Sequence, residues 1–204
     1  TGLAQFVISD GDYTGESIDF TAMKSGYSAS NRCVLLTLGD ETVAQGSVIR
    51  TGINNTGNRV DVGISINAPT VRVGGLADKD GNNLGNNTRF NLVSGNPTTH
   101  TAPSEDGFTS DSTARTLVIT GKGGSTAAKV GANLNITMDS AGNTQNFTGD
   151  MSLFNGDINV KAGTLGITPT AALSLHAVNV EEDANLLLHA SPERQQQHHG
   201  LSYQ

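Results

Sequence analysis

Two short acidic runs are the first places where this chain could do chemistry. Asp10-x-Asp12-x-Thr14-Gly15 sets two carboxylates and a hydroxyl on alternate positions, followed by a glycine. Alternating oxygens closed by a glycine wrap a hard cation, so Asp10, Asp12 and Thr14 are candidate calcium ligands. The twelfth position of such a loop falls on Thr21, where a bidentate glutamate would complete the shell. Asp78-x-Asp80-x-Asn82 is a weaker version without the glycine at its sixth position. The competing reading is plainer: Asp and Gly make good turns between strands.

A carboxylate pair is the second candidate. Aspartic proteases use two carboxylates that share one proton and activate a water. Their signature, Asp-Thr-Gly or Asp-Ser-Gly, is absent here. Asp12-Tyr13-Thr14-Gly15 and Asp139-Ser140-Ala141-Gly142 come near it, each with one residue inserted. Asp12 and Asp139 are therefore the catalytic residues of an alternative reading, a secreted hydrolase acting on mucin-like glycoproteins. A glycosidase would also use two carboxylates, without a motif to name them. No Gly-x-Ser-x-Gly elbow supports a serine nucleophile. His176 and His189 lie in strand-like apolar runs, and His198-His199 sits beside three glutamines, where any zinc or nickel affinity would be incidental. Gly121-Lys122-Gly123-Gly124-Ser125 has the glycines of a phosphate loop, but no helix follows, so a hairpin turn is expected. No cofactor is implied.

Composition narrows the class. The formal net charge is −7, against the basic stripe that nucleic acid requires. One cysteine, Cys33, forbids an internal disulfide and reads as a buried thiol. Aromatic residues are 4% with no tryptophan, so the core must be aliphatic. No apolar run is long enough to span a membrane. The balance of Asn, Thr and Gly with little cysteine fits a secreted, periplasmic or outer-surface protein; oligomeric state is not legible.

The elements that would position these residues are strands. Ala4 to Ser9, Ser17 to Lys24, Cys33 to Leu38, Thr42 to Thr51, Arg59 to Asn67, Thr70 to Gly74, Arg89 to Val93, Thr116 to Gly121, Ala172 to Val180 and Ala184 to Ala190 all read as β. Val60-Asp61-Val62-Gly63-Ile64-Ser65-Ile66 has the cleanest period of two. No capped amphipathic helix appears. Gly52 to Asn58 and Ala77 to Asn87 read as loops. Ser94 to Ser112 is the longest polar stretch, either a module boundary or an excursion from one continuous β domain. The first option gives modules over 1–95 and 113–190 with a polar tail over 191–204.

Residues 131–167 are organised differently. Leu134-Asn135-Ile136, Met151-Ser152-Leu153, Ile158-Asn159-Val160 and Leu165-Gly166-Ile167 are short β-prone triplets separated by Gly, Asn and Asp. Phe147-Thr148-Gly149-Asp150, Gly156-Asp157-Ile158-Asn159-Val160 and Ala162-Gly163-Thr164-Leu165 resemble the autotransporter-associated β-strand repeat of Gram-negative surface proteins. One copy is visible, and the polar residues after it are not expected to form a membrane barrel. The resemblance implies a surface passenger built as a β-solenoid. The expected fold is all-β, with a C-terminal half like a β-solenoid or parallel β-helix. The N-terminal half would be further rungs or a β-sandwich. Stacked asparagines are expected to bond neighbouring rungs. The expected role is a binding or structural module contacting glycans, glycoproteins or other surface proteins.

Overall fold

The computed structural model describes residues 2–9, 17–23, 32–39, 41–54, 60–78, 88–95, 107–189 and 201–203. Those residues form an all-β structure with parallel sheets and no helix, and so no helix long and apolar enough to cross a membrane. In chain order the strands are β1 (Gly2–Ile8), β2 (Ser17–Met23), β3 (Arg32–Leu38), β4 (Val48–Asn54), β5 (Val60–Ile66), β6 (Thr70–Val73), β7 (Gly75–Asp78) and β8 (Thr88–Ser94). They continue with β9 (Arg115–Ile119), β10 (Gly123–Thr126), β11 (Lys129–Val130), β12 (Leu134–Phe147), β13 (Ile158–Ile167), β14 (Val178–Val180), β15 (Asn185–Leu188) and β16 (Leu201–Tyr203).

Sheet 1 has the order β1-β3-β5-β8-β11, and sheet 3 the order β2-β4-β7. Sheet 2 runs β6-β9-β12-β13-β15-β16, with β10 on β12 and β14 on β13. The long strands β12 and β13 each serve two ladders. Their first halves pair with β9 and β14, and their second halves with β10 and β15. Among the described strands only β15 and β16 pair antiparallel.

Register explains why these residues form this arrangement. Val71, Leu117, Ile136, Ile158 and Val178 occupy one position on successive strands, and Val73, Ile119, Met138, Val160 and Val180 another. Both columns face one aliphatic core, which also takes Leu36, Ile64 and Leu92 from sheet 1. Each full burial of such a side chain contributes about 1.5–3 kcal/mol, so the alternation seen in the sequence sets the register. Partners lie 28 residues apart between β3 and β5 and again between β5 and β8. They lie 22 apart where the first half of β12 meets β13, 20 apart where its second half does, and 20 apart where β13 meets β14.

Sheet 3 and the second ladder of sheet 2 meet along a seam between β7 and β10. The backbones approach so closely that a Cβ on Gly75 would sit 2.4 Å from the Cα of Gly123. Gly123 donates its N–H to the Gly74 carbonyl. Beyond that point side chains hold the seam. Gln145, fully buried on β12, accepts from the Leu76 N–H at 2.9 Å and donates from Nε2 to the Leu76 carbonyl at 2.9 Å. Asp78 accepts from the Thr126 hydroxyl at 3.0 Å and the Ala127 N–H at 2.9 Å.

Several expectations are corrected. Parallel pairing through the N-terminal half departs from a sandwich, whose sheets are antiparallel. Gly121 to Ser125 is not a hairpin turn: it leads from β9 into β10, which pairs in parallel with β12. Met151-Ser152-Leu153 is a turn rather than a strand, closed by Phe154 N–H to the Met151 carbonyl, although Met151 is buried. Strand structure in Ala172 to Val180 is confined to Val178–Val180. Thr42 to Ser47 turns, with Ala44 at φ 50, and β4 extends to Asn54 through the start of the expected loop. Apart from these corrections, β6 pairs with β9 and β8 with β11 across the Ser94 to Ser112 stretch.

Candidate functional site

The most organised polar feature is a ladder of side chains on the outward side of sheet 2. Alternation along β9 and β12 turns Leu117 and Ile136 into the core, which points Thr116 and Asn135 the other way. Asn135 Nδ2 reaches 3.5 Å from the Thr116 hydroxyl, while its Oδ1 accepts the Asp157 N–H at 2.9 Å. Asp157 Oδ1 lies 2.9 Å from His176 Nδ1. Four successive passes of the chain are thereby tied by one polar row, Thr116–Asn135–Asp157–His176. Beside it, Val118, Thr137, Asn159 and Asn179 share a second register position on the side away from the main core, where Val118 and Thr137 are buried, Asn159 is half-buried and Asn179 is exposed. At the preceding corner Asn133, with φ 60, donates from Nδ2 to the Asp111 carbonyl at 2.8 Å. Its own N–H donates to Asn155 Oδ1 at 2.8 Å.

These contacts hold the amide and hydroxyl groups at fixed positions, repeated at the strand spacing of about 4.8 Å. Such a surface can hydrogen-bond an extended polar ligand without losing much side-chain freedom on binding. Sequence reasoning expected asparagines to bond neighbouring passes of the chain, and Asn135 bonds Thr116 and Asp157. It missed Asp157 and Thr116. The available signal was spacing: Asn135 precedes Asp157 by 22 residues, the offset that also separates Ile136 from its partner Ile158. His176 was expected in a strand, and it stands exposed just before β14.

The sequence-predicted site residues are not brought together among the described residues. Asp10, Asp12 and Thr14 lie outside them. Asp139 is exposed on β12, where the register shifts on either side of it. Asp80 and Asn82 also lie outside the described residues, and Asp78 spends its carboxylate on Thr126 and Ala127. Among the described residues no group of three or more His, Cys, Asp or Glu side chains could hold a metal ion.

The charged groups differ in sign of effect. Burial pushes the Asp78 carboxyl above its ordinary value of 3.8, and the bonds from Ala127 and Thr126 offset only part of this. At Asp150 burial also opposes ionisation, but bonds from the Ser152 N–H and hydroxyl and the charge of Lys129 prevail, so its carboxyl titrates lower than usual. Asp111 is likewise lowered, because the Arg115 guanidinium at 2.8 Å and the Thr113 N–H outweigh its desolvation. A raised folded-state value favours the fold below the unfolded value, and that contribution is lost as pH rises through the folded one. Relative to Asp78→Asn, the native chain is therefore expected to be more stable at pH 3 than at pH 7. Relative to Asp150→Asn it should show the reverse, losing stability as pH falls below about 4. Urea midpoints of the three proteins at both pH values measure this; trends of equal sign would contradict it.

Comparisons of the chain with protein-family models, with curated proteins and with solved structures found no match.

Proposed function

We propose that this chain is a β-solenoid binding module of a secreted or surface-exposed bacterial protein, and that the outward polar row of sheet 2 is its ligand face. The observation that carries the reading is the hydrogen-bonded row Thr116–Asn135–Asp157–His176, fixed across four passes of the chain. The solenoid reading is supported by parallel strands that return to the same register positions about every 20 residues in the C-terminal half. The surface reading is supported by the acidic, cysteine-poor composition and by the likeness of Phe147 to Leu165 to a surface-passenger repeat.

The hydroxyl, amide, carboxylate and imidazole of this row, held at fixed positions on neighbouring passes, suit the hydroxyl groups of a glycan. With 3 tyrosines and no tryptophan in the chain, recognition would rest on hydrogen bonds rather than ring stacking. The test is binding of the purified chain to immobilised mucin before and after enzymatic removal of its glycans. Binding at micromolar concentration that disappears with the glycans is the expected result. Binding that survives deglycosylation would move the ligand class to protein, and absence of binding to either surface would remove the glycoprotein reading.

A further inference from the structure

Sheet 1 ends at β1, and the core on its inner face runs out to the surface there. Phe6, Leu36, Ile64 and Leu92 occupy one register column on β1, β3, β5 and β8. Leu36, Ile64 and Leu92 are core residues at 2%, 1% and 0% exposure, whereas Phe6 is 54% exposed. Beside that column Ala4 is exposed and Ile8 half-buried against the core. The direction of the backbone follows from one bond. The Gly39 N–H donates to the Ile8 carbonyl at 2.8 Å, so Ile8, and by alternation Phe6 and Ala4, turn their main-chain groups toward β3. The N–H and C=O groups of Gln5 and Val7 therefore point the other way, to an edge where no described strand pairs with β1.

Sheet edges are commonly blunted by charged residues, proline or a bulge. Gly2–Ile8 contains neither charge nor proline, and its register with β3 is unbroken. Three observations select a second copy of this chain as the strand that covers it. The segment is neutral in a chain of net charge −7, so two copies meet here without opposing like charges. The β1 of a second copy is already ordered on its own β3, and gives up less freedom on pairing than a flexible peptide does. End-on stacking through β15 is blocked, because antiparallel β16 covers that edge, so the pairing that closes is a two-fold one. We propose that β1 is a self-association edge, pairing antiparallel with β1 of a second copy about a two-fold axis at Phe6. Ala4 then stands opposite Ile8, Gln5 opposite Val7, and Phe6 opposite Phe6 of the second copy. Gln5 and Val7 make the hydrogen-bonded pairs for which their main-chain groups are already aimed. The two Phe6 rings meet in the closer, non-hydrogen-bonded pair and join the two cores.

Sedimentation velocity of the full chain, from micromolar to submillimolar concentration, reads the association, and a concentration-dependent dimer is expected. Phe6→Lys and Phe6→Glu should each weaken it by about tenfold or more, since each replaces a ring pair by like charges directly opposed. An equimolar mixture of the two variants should recover the dimer, because opposite charges then face each other across the axis. That recovery separates a lost contact from a lost fold. A native chain that stays monomeric throughout this range would overturn the proposal. So would single variants that associate as the native chain does, or a mixture that stays monomeric.

Discussion

Replacing Gln145 with leucine is expected to destabilise the chain by about 3 kcal/mol, although leucine is the more apolar residue at a fully buried position. The reason is the seam between β7 and β10. Both main-chain groups of Leu76 are satisfied by the Gln145 amide, each at 2.9 Å. Leucine would leave a buried N–H and a buried carbonyl without that partner, at about 1–3 kcal/mol each, against a modest gain in apolar burial. The effect should be local before it is global. Hydrogen exchange at the Leu76 amide should accelerate more than exchange at amides of β12 and β13 far from the seam. Retained protection at Leu76 in Gln145→Leu would show that the seam is held by something other than this amide.

The second large effect is expected at Phe147. Its side chain is fully buried at the end of β12, beside Thr126 of β10 and Ile167 of β13 in register. Phe147→Ala removes most of a large side chain from a position whose parallel strands are hydrogen-bonded on both sides and so have little freedom to close the cavity. A loss of about 4 kcal/mol is expected, with Phe147→Leu losing roughly 1–2 kcal/mol. Urea denaturation followed by circular dichroism measures both. A loss below 1 kcal/mol for Phe147→Ala would mean that the ring is not packed as described.

The same residues show how far the sequence could be read. Alternation in Val60 to Ile66 and in the triplets around Ile136 and Ile158 was legible, because it is a local property of the sequence; that Asp61, Gly63 and Ser65 are buried as well was not. Parallel pairing in the N-terminal half was not, because strand direction depends on which distant segments meet, and partners there lie 28 residues apart. Gly121 to Ser125 read as a hairpin because glycine-rich turns reverse a chain or merely bend it, and only the next strand decides. Gln145 stood unmarked in a polar gap: its value lies in Leu76, 69 residues earlier. Of the candidate row, Asn135 was legible from its turn-and-strand setting. Asp157 and His176 were not, since their pairing joins groups 19 residues apart across a corner. Phe108, buried against Leu35 and Val93, sat inside a stretch read as polar spacing, where one aromatic ring carries little periodic signal.

A substitution pair tests most directly whether the outward face of sheet 2 is the ligand face. Asn159 lies between Thr137 and Asn179 in the second register position on that face, and Ser125 is exposed on β10, on the other ladder. Both are changed to lysine, and binding to immobilised mucin is measured by surface plasmon resonance at equal folded concentration. A tenfold or greater loss for Asn159→Lys with unchanged affinity for Ser125→Lys is the expected result. Unchanged affinity for Asn159→Lys, or a loss confined to Ser125→Lys, would contradict it.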